Sequence, residues 1–270
     1  PREISMLGLE PRSQKFSESV RDLARTNYDS DLTSEGYYFG GLTNKFNDLL
    51  LLGDSHARML IPSLSEQLKS KNLKGFHPYN KTSKSNFLAV NPGTEESFID
   101  AWQKQIKQFS KNSKVILISF RHTRSRDNYF YDPINSQPSK IYYDNLRRRI
   151  LHLSALVPKL IIVAPFPESP YWGPNLGRSF FQNENQFDTS TSRYLEIHQQ
   201  VLSFFRKISE ENSSIYIFYP HYFLTNKNSH LSHFGNDNVT NEIIPYYYDD
   251  DHLNSDGSKG IVNKIVSSIP

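Results

Sequence analysis

The chain of 270 residues is 37% hydrophobic and 22% charged, which excludes a disordered polymer and suffices for one α/β domain with a sizeable core. Its net charge of +3 is too low to indicate a nucleic-acid partner, and its basic clusters match no nucleic-acid-binding motif. There is no cysteine, which excludes disulfides, thiolate metal sites and a cysteine nucleophile, and no apolar run reaches the about 18 residues of a membrane span.

The first 45 residues differ in pattern from the rest of the chain. Residues 1–45 show no sustained hydrophobic period, so we predict an irregular extension or linker, with at most a short helix, packed on the main body. Residues 46–270 alternate short apolar runs with stretches of helical spacing, and we predict that they form one domain. The predicted strands are, in chain order, DLLLLG, KGFHPY, KVILISF, KLIIVAPFP and SIYIFYP.

Five stretches of helical spacing follow these strands. Each places apolar side chains three or four residues apart along one face, as an amphipathic helix does. The stretches are HARMLIPSLSEQLKS, EESFIDAWQKQIKQF, SKIYYDNLRRRILHLSALV, SRYLEIHQQVLSFFRKIS and SDGSKGIVNKIVSSI. Strand–helix alternation requires crossover connections, which give a parallel sheet covered on both faces. We therefore predict a three-layer α/β/α, flavodoxin-like, doubly wound parallel sheet of about five strands.

A glycine and three polar residues follow the first predicted strand, in the segment LLLLGDSHARM. In doubly wound sheets, functional residues gather in the loops at the carboxyl ends of the strands. Gly53 permits a tight strand-to-helix turn, and Ser55 then lies at a helix N-terminus, where free N–H groups favour negative charge. Ser55 is therefore a candidate nucleophile with its own N–H as an oxyanion donor. The alternative is an ordinary helix cap, in which Ser55 or Asp54 accepts a backbone N–H.

A second polar segment, YDDDHLNSDG, lies between the last predicted strand and the closing helix. The predicted topology places its loop on the same edge of the sheet as Ser55. His252 is a candidate general base, and Asp249, three residues earlier, is placed to orient its ring across one turn. Asp250 and Asp251 are rivals for that role. A solvated acidic turn and a Mn or Mg site are the alternative interpretations.

Together the two segments contain a nucleophile, a base and an acid that orients the base. LLLLGDSHARMLIPSL, followed by YDDDHLNSDGSKGI near the C-terminus, resembles the SGNH (GDSL-type) hydrolase superfamily. It is most similar to the extracytoplasmic SGNH domains that follow the membrane domain of bacterial acyltransferase-3 proteins. Those domains also have a strand ending in Pro-x-Pro, matched here by IIVAPFPESP. The resemblance covers roughly residues 45–268.

The resemblance implies the SGNH hydrolase fold, with Ser55 as nucleophile, His252 as general base and Asp249 as the orienting acid. It implies transfer of an acyl group, usually acetyl, through an acyl-serine intermediate to the hydroxyls of a cell-surface polysaccharide or glycan. The acyl donor would arrive through an upstream membrane acyltransferase domain or a partner protein. The implied location is extracytoplasmic, as part of a membrane-anchored protein, and we expect no cofactor, metal or nucleic acid.

The third predicted strand departs from the general pattern of the superfamily. Standard members add a glycine and then a Gly-x-Asn-Asp block as oxyanion donors, whereas this strand ends in ISFRHTRSRDN. Arg121 occupies the place of that asparagine, as in the acyltransferase-linked branch, and is a candidate for binding the oxyanion or substrate; a structural ion pair is the alternative. Asn91 and Gly93, in AVNPGTEES, are further candidates, with an ordinary turn as the alternative. His56 adjoins the nucleophile and points elsewhere, so we interpret it as structural.

Three alternatives to an acyltransferase use the same residues differently. A carbohydrate O-acetylesterase has the same triad and releases the acyl group to water. A non-catalytic glycan-binding accessory domain would stack sugars on exposed aromatic rings, such as those in YYFGG and SPYWGPN. A metal-dependent phosphoesterase needs more ligands than the acidic run contains. The intact serine, aspartate and histidine set favours acyl chemistry over the last two.

Overall fold

The computed structural model describes residues 36–41, 47–78, 96–121, 131–132, 137–138, 140–168, 190–232, 234–236, 243–247 and 252–270. The strands are β1 (Gly36–Gly40), β2 (Leu49–Gly53), β3 (Lys74–Pro78), β4 (Val115–Ser119), β5 (Tyr131–Asp132), β6 (Gln137–Pro138), β7 (Lys159–Val163), β8 (Ile215–Phe218), β9 (Phe234–Asn236) and β10 (Ile243–Pro245). The helices are α1 (Ser55–Arg58), α2 (Ile61–Ser70), α3 (Glu96–Ser110), α4 (Lys140–Ser154), α5 (Thr191–Glu211), α6 (His221–Leu224) and α7 (Ser255–Ser267).

A six-stranded sheet forms the centre of the fold, with its strands in the order β1-β3-β2-β4-β7-β8. The five strands from β3 to β8 in that order run parallel to one another. In this order β2, the first parallel strand along the chain, lies between β3 and β4, as in a flavodoxin-like doubly wound fold. The predicted fold class is therefore confirmed. Two short antiparallel pairs, β5 with β6 and β9 with β10, form separate sheets.

The sheet extends one strand further than the sequence predicted, into the segment that we expected to be irregular. Gly36–Gly40 form β1, which pairs antiparallel with β3 at the edge of the sheet. Phe39 is buried in the core, and the ring centroid of Tyr38 lies 4.5 Å from that of Phe76. A single five-residue strand between glycines is too short to produce a detectable hydrophobic period. Most of the rest of residues 1–45 lies outside the described ranges.

Two apolar layers cover the two faces of the sheet. Alternate residues of β2 point to opposite faces, so Leu49 and Leu51 join one layer and Leu50 and Leu52 join the other. Helices α2 and α7 complete the first layer, and α3, α4 and α5 complete the second. All four leucines are at most 1% exposed, and burial of each side chain contributes about 2 kcal/mol. A sheet covered on both faces explains why this strand is apolar throughout.

The helix predicted after β2 is divided in two. α1 ends at Arg58, and α2 begins at Ile61 with Pro62 in its first turn. Proline lacks an N–H and disfavours the helical conformation in the residue before it, so it fits the first turn of a helix rather than the interior. Met59 and Leu60 form the buried turn between the two helices. The short helix after β2 is thereby separated from α2, which packs on the sheet.

Gly53, at the end of β2, is a position where the backbone requires glycine. Its φ is +144°, a conformation that residues with a side chain rarely adopt. A Cβ at this position would fall on the backbone carbonyl of Ser119 in β4, the residue with which Gly53 is in register. The missing side chain therefore lets the ends of β2 and β4 lie side by side.

We predict that Gly53→Ala lowers the free energy of unfolding by more than about 2 kcal/mol, because the added methyl group separates β2 from β4. Gly260 is the matched control: it is exposed within α7, and the nearest atom to an added Cβ is 3.9 Å away. Gly260→Ala should stabilise the protein by about 0.5–1 kcal/mol. Urea denaturation followed by circular dichroism measures both, and equal shifts of the two variants would contradict this account.

Candidate functional site

The carboxyl ends of the parallel strands lie along one edge of the sheet. The turn after β2 contains Asp54, Ser55 and His56, and Arg121 and Glu168 lie just beyond β4 and β7. β2 and β4 are neighbours in the sheet. After β2 the chain continues to β3 on one side, and after β4 it continues to β7 on the other side. This is the topological switch point, where doubly wound folds bind their ligands.

Ser55 is the first residue of α1 and directly follows the turn at the end of β2. Asp54 caps this helix, since its Oδ1 accepts the backbone N–H of His56 at 2.9 Å. The capping role that the sequence left open between the two residues therefore falls to Asp54 rather than Ser55. Ser55 is partly exposed, whereas His56 and Ala57 are buried. The turn leaves Ser55 accessible at the sheet edge and directs the next two side chains inward.

The Asp54 carboxylate joins the ends of two strands. Its Oδ2 accepts the backbone N–H of Arg121, just after β4, at 2.9 Å. In the opposite direction, the hydroxyl of Ser119 donates to the backbone carbonyl of His56 at 3.2 Å. These two hydrogen bonds fasten the turn that contains Ser55 to β4, so the position of Ser55 depends on both strands.

Asp54 is ionised at neutral pH although its carboxylate is partly buried. Burial by itself would raise its pKa, but it is outweighed by the hydrogen bond from the His56 ring, by the attraction of that ring when protonated, and by the N–H groups of Arg121 and His56. The net result is a pKa below the ordinary value of 3.8. His56 Nδ1 lies 3.3 Å from Asp54 Oδ1. Because an ionised carboxylate only accepts, we assign the hydrogen of this contact to Nδ1.

The backbone around His252 is fixed on the side of α7. Tyr247 and Leu253 form an antiparallel bridge, and the N–H of Asn254 donates to the carbonyl of Tyr246 at 2.8 Å. The side chain of Asn254 also caps α7. The bridge and the helix cap therefore fix the backbone on the C-terminal side of His252.

Two contacts attach Tyr247 and Leu253, the bridged residues on either side of His252, to the other segments of the site. The Tyr247 hydroxyl donates to the carbonyl of Pro167, beyond β7, at 2.8 Å. The N–H of Leu253 donates to Met59 Sδ, in the turn after α1, at 3.2 Å. Tyr247 and Leu253 are almost completely buried. The segment before α7 is thereby held against the segments that follow β2 and β7.

The rings of His56 and His252 stack, with centroids 4.9 Å apart and planes inclined by 28°. Because His56 directly follows Ser55 in the chain, this stack places His252 beside the turn that contains Ser55. The structure thus brings two members of the predicted triad to one region of the sheet edge. This arrangement can serve a nucleophilic serine with a histidine base.

Arg121 also lies at this edge. Its guanidinium forms an ion pair with Glu168, with Nη2 3.1 Å from Oε1. The Arg121 side chain is 21% exposed and that of Glu168 is 41% exposed, so the pair borders solvent. The ends of β4 and β7 therefore place a positive group next to the turn after β2.

The remaining predicted site residues lie outside the described residues. They are Asp249 with its rivals Asp250 and Asp251, and Asn91 and Gly93. The aromatic segment SPYWGPN lies outside as well. The roles assigned to these residues from the sequence stay predictions.

Asp54 was one of the two residues expected to cap the helix, since an aspartate just before a helix is a usual cap. Two other contributors to the site, Glu168 and Phe166, were not predicted. No local signal pairs Arg121 with Glu168, which is 47 residues away. Phe166 stacks near His56 at 6.1 Å between centroids and is likewise detectable only in the folded chain. His56 makes the structural hydrogen bond that we expected, and it also contacts the predicted base.

The aromatic residues of YYFGG are less open than a sugar platform requires. Tyr37 stacks on His77 at 6.3 Å, and Tyr38 packs on Phe76. Exposed rings occur instead in α6, where Tyr222 is 71% exposed. α6 follows β8 and therefore lies at the same edge of the sheet as Ser55.

The sheet, the serine turn after its first parallel strand and the histidine before the last helix define an SGNH-type domain. A model of the family described as "SGNH domain (fused to AT3 domains)" matches residues 23–267, and the chain belongs to this family. Its general activities are those of hydrolases, esterases and acyltransferases. Among curated proteins, none matches the chain.

No group of three or more His, Asp or Glu side chains in the described ranges is arranged to hold a metal ion. No helix in the same ranges is both long and apolar enough to cross a membrane.

His77, at the end of β3 beside β2, makes the stability of the fold depend on pH. Burial lowers its pKa from 6.5 to about 4, and Nδ1 lies 3.0 Å from the Leu51 carbonyl. Between pH 6.5 and 4 the unfolded chain binds a proton that the folded chain excludes. The contribution of His77 is therefore complete above pH 6.5 and is lost as the pH falls toward 4, by up to about 3 kcal/mol.

We predict that His77→Asn, whose amide can still donate to the Leu51 carbonyl, reduces the loss of unfolding free energy between pH 7 and pH 4.5. Urea denaturation at a series of pH values measures the difference between the variant and the wild type. Above pH 7 the two curves should run parallel, which is the internal control. If the unfolding free energies of variant and wild type stay parallel down to pH 4.5, His77 does not cause the loss of stability in acid.

Proposed function

We propose that the protein is a serine O-acyltransferase that forms an acyl-Ser55 intermediate and passes an acetyl group to a hydroxyl of a cell-surface glycan. The observation that supports this most is the stack of His252 on His56, 4.9 Å between centroids, beside the turn that contains Ser55. Family membership supports the reaction class. Asp249 completes the proposed triad as the acid that orients His252.

The proposed chemistry has two halves. First, Ser55 Oγ attacks the carbonyl carbon of the acyl donor while His252 takes the hydroxyl proton, which gives a tetrahedral oxyanion. The donor's leaving group departs with that proton, and the acyl group stays on Ser55 as an ester. Then a sugar hydroxyl attacks the ester as His252 takes its proton, and Ser55 leaves with the proton returned. The sugar carries the acyl group and the enzyme is restored.

The oxyanion needs hydrogen-bond donors beside Ser55. The Ser55 N–H is the first of α1 and has no carbonyl one turn earlier in the helix, so it is the first candidate. Arg121 is the second, because the hydrogen bond from its N–H to Asp54 keeps its backbone next to the turn. The ion pair with Glu168 orients its guanidinium along the sheet edge. Asn91 and Gly93 are the further candidates that the sequence offers.

Transfer and hydrolysis share the first half-reaction and differ in the acceptor. We favour transfer because the matched family is that of SGNH domains fused to AT3 domains. In that arrangement a membrane domain delivers the acyl donor on the extracytoplasmic side, where surface polysaccharides are the acceptors. A carbohydrate O-acetylesterase with the same triad is the second candidate.

Exposed aromatic rings on α6 support a glycan acceptor. Tyr222 and Phe223 are 71% and 44% exposed, and both rings are backed by others, since Tyr222 packs on His221 at 4.2 Å and Phe223 on Phe218 at 5.2 Å. α6 follows β8, three strands from β2, so it lies about 15 Å along the sheet edge. A polysaccharide chain spans such a distance, and the apolar faces of its sugar rings pack on aromatic faces.

We predict that Ser55→Ala and His252→Ala each reduce p-nitrophenyl acetate hydrolysis by about 1,000-fold, because each removes one member of the proposed catalytic triad. The double variant should be no worse than either single variant, as expected for residues that act together. Ser70→Ala, which changes an exposed serine of α2, is the control and should retain wild-type turnover. Full activity of Ser55→Ala would reject Ser55 as the nucleophile.

The fate of the acyl group distinguishes transferase from esterase. Intact-protein mass spectrometry after mixing with the acetyl ester should show an acetyl adduct on the wild type and none on Ser55→Ala. If the protein is a transferase, added polysaccharide should shorten the life of that adduct and become acetylated. An adduct that decays at the same rate with or without glycan would support the esterase.

We predict that Tyr222→Ala raises KM for a polysaccharide acceptor about fivefold, as expected when about 1 kcal/mol of ring stacking is lost. Hydrolysis of p-nitrophenyl acetate should be unchanged, because that substrate does not reach α6. Tyr216→Ala is the control: Tyr216 is 49% exposed but lies within β8, and its ring packs under Lys159. Equal effects of the two variants would place the acceptor elsewhere.

A further inference from the structure

We propose that Asp54 and His56 form a second carboxylate–imidazole pair that positions the ring of His252 and favours its protonated form during acyl transfer. His56 is then a positioning residue that acts through the base. The inference rests on the proposed function, because it assigns a task to groups that surround the proposed base.

The geometry of His56 supports this assignment. Its side chain is buried, with 3% of the residue exposed. Its Nδ1 lies 3.3 Å from Asp54 Oδ1, and its backbone N–H donates to the same oxygen. Its ring lies near parallel to those of His252, at 4.9 Å, and Phe166, at 6.1 Å. The ring is therefore fixed by hydrogen bonds to Asp54 and contacts His252 along its face.

The Asp54 carboxylate is in turn held by both strand ends. Its two oxygens accept hydrogen bonds from the N–H groups of His56 and Arg121, each at 2.9 Å. The same carboxylate therefore orients the His56 ring and the backbone that follows β4. A shift of His252 along the sheet edge would break its stacking contact with a ring that cannot follow it. Such restraint keeps a catalytic base in its reactive orientation.

The pair also has an electrostatic effect. When the His56 ring is neutral, with its hydrogen on Nδ1 donated to the ionised Asp54, the pair has a net negative charge, which lies on the far side of the ring that contacts His252. When His252 takes the serine proton it becomes an imidazolium, and a nearby negative charge stabilises that cation. The described ionisable groups on neighbouring elements include Arg58 of α1, His77 of β3, Tyr247 before α7, and Arg121 and Glu168 beyond β4 and β7.

Three variants separate the stacking contact from the charge. His56→Ala removes the ring, and His56→Phe keeps an aromatic face without the hydrogen bond to Asp54. Asp54→Asn removes the charge and leaves one acceptor oxygen, so only one of the N–H groups of His56 and Arg121 keeps its partner. His198→Phe is the matched control. His198 is also a buried imidazole that packs on an aromatic ring, Tyr194 at 4.7 Å, but it lies in α5 and not in the segments that follow β2, β4 and β7.

The experiment measures kcat, KM and the pH dependence of kcat/KM for p-nitrophenyl acetate hydrolysis by the 270-residue chain. We expect His56→Ala to lower kcat about 10-fold with KM changed less than about twofold, and His56→Phe to recover most of that loss. Asp54→Asn should move the acid limb of the pH profile to lower pH by about 0.5 unit, since the base loses a nearby negative charge. His198→Phe should leave the acid limb in place.

Each outcome decides between the two proposals. If Ser55→Ala is inactive but His56→Ala and Asp54→Asn keep the wild-type kcat and acid limb, the positioning role is overturned and the proposed function stands. If Ser55→Ala keeps full activity, the proposed function fails first. A loss of activity in His56→Ala that His56→Phe does not recover, with an unmoved acid limb in Asp54→Asn, indicates a merely structural role. Should His56→Ala fail to fold, the other two variants decide the question.

Discussion

The Asp54 carboxylate accepts hydrogen bonds from the backbone after two neighbouring strands, and the arrangement of the candidate site depends on that bridge. One oxygen accepts the N–H of His56 and the other accepts the N–H of Arg121. Hydrogen bonds to a charged acceptor contribute about 1.5–3 kcal/mol each, more than neutral ones. The bridge therefore fixes the turn that contains Ser55 firmly against β4, while Gly53 allows the two strand ends to approach.

The segment after β2 and the last helix meet through packing between α2 and α7. The hydroxyls of Ser63 and Ser258 lie 2.8 Å apart, and Ser63 also donates to the carbonyl of Ser255 at 3.0 Å. Both helices cover the same face of the sheet. Since α2 follows the serine turn and α7 follows His252, their contact brings the two segments to one edge.

Much of the fold could be predicted from local patterns. The LLLL run of β2 and the stripes of the long helices follow from burial, which acts on residues a few positions apart. β1 was missed because five residues between glycines show no period, and its place at the sheet edge depends on pairing with β3. The division of the first helix was missed although Pro62 signalled it, because the apolar spacing continues across the break.

For the candidate site, the sequence by itself determined which groups were available: a serine after a strand-end glycine, a histidine after three aspartates, and an arginine where a further strand stops. Only the tertiary structure decided their partners. It set His252 against His56, Arg121 against Glu168 and the Asp54 carboxylate between two strands. The physical reason is that strand and helix signals are local, whereas contacts between distant segments depend on strand order and on how the helices pack over the sheet.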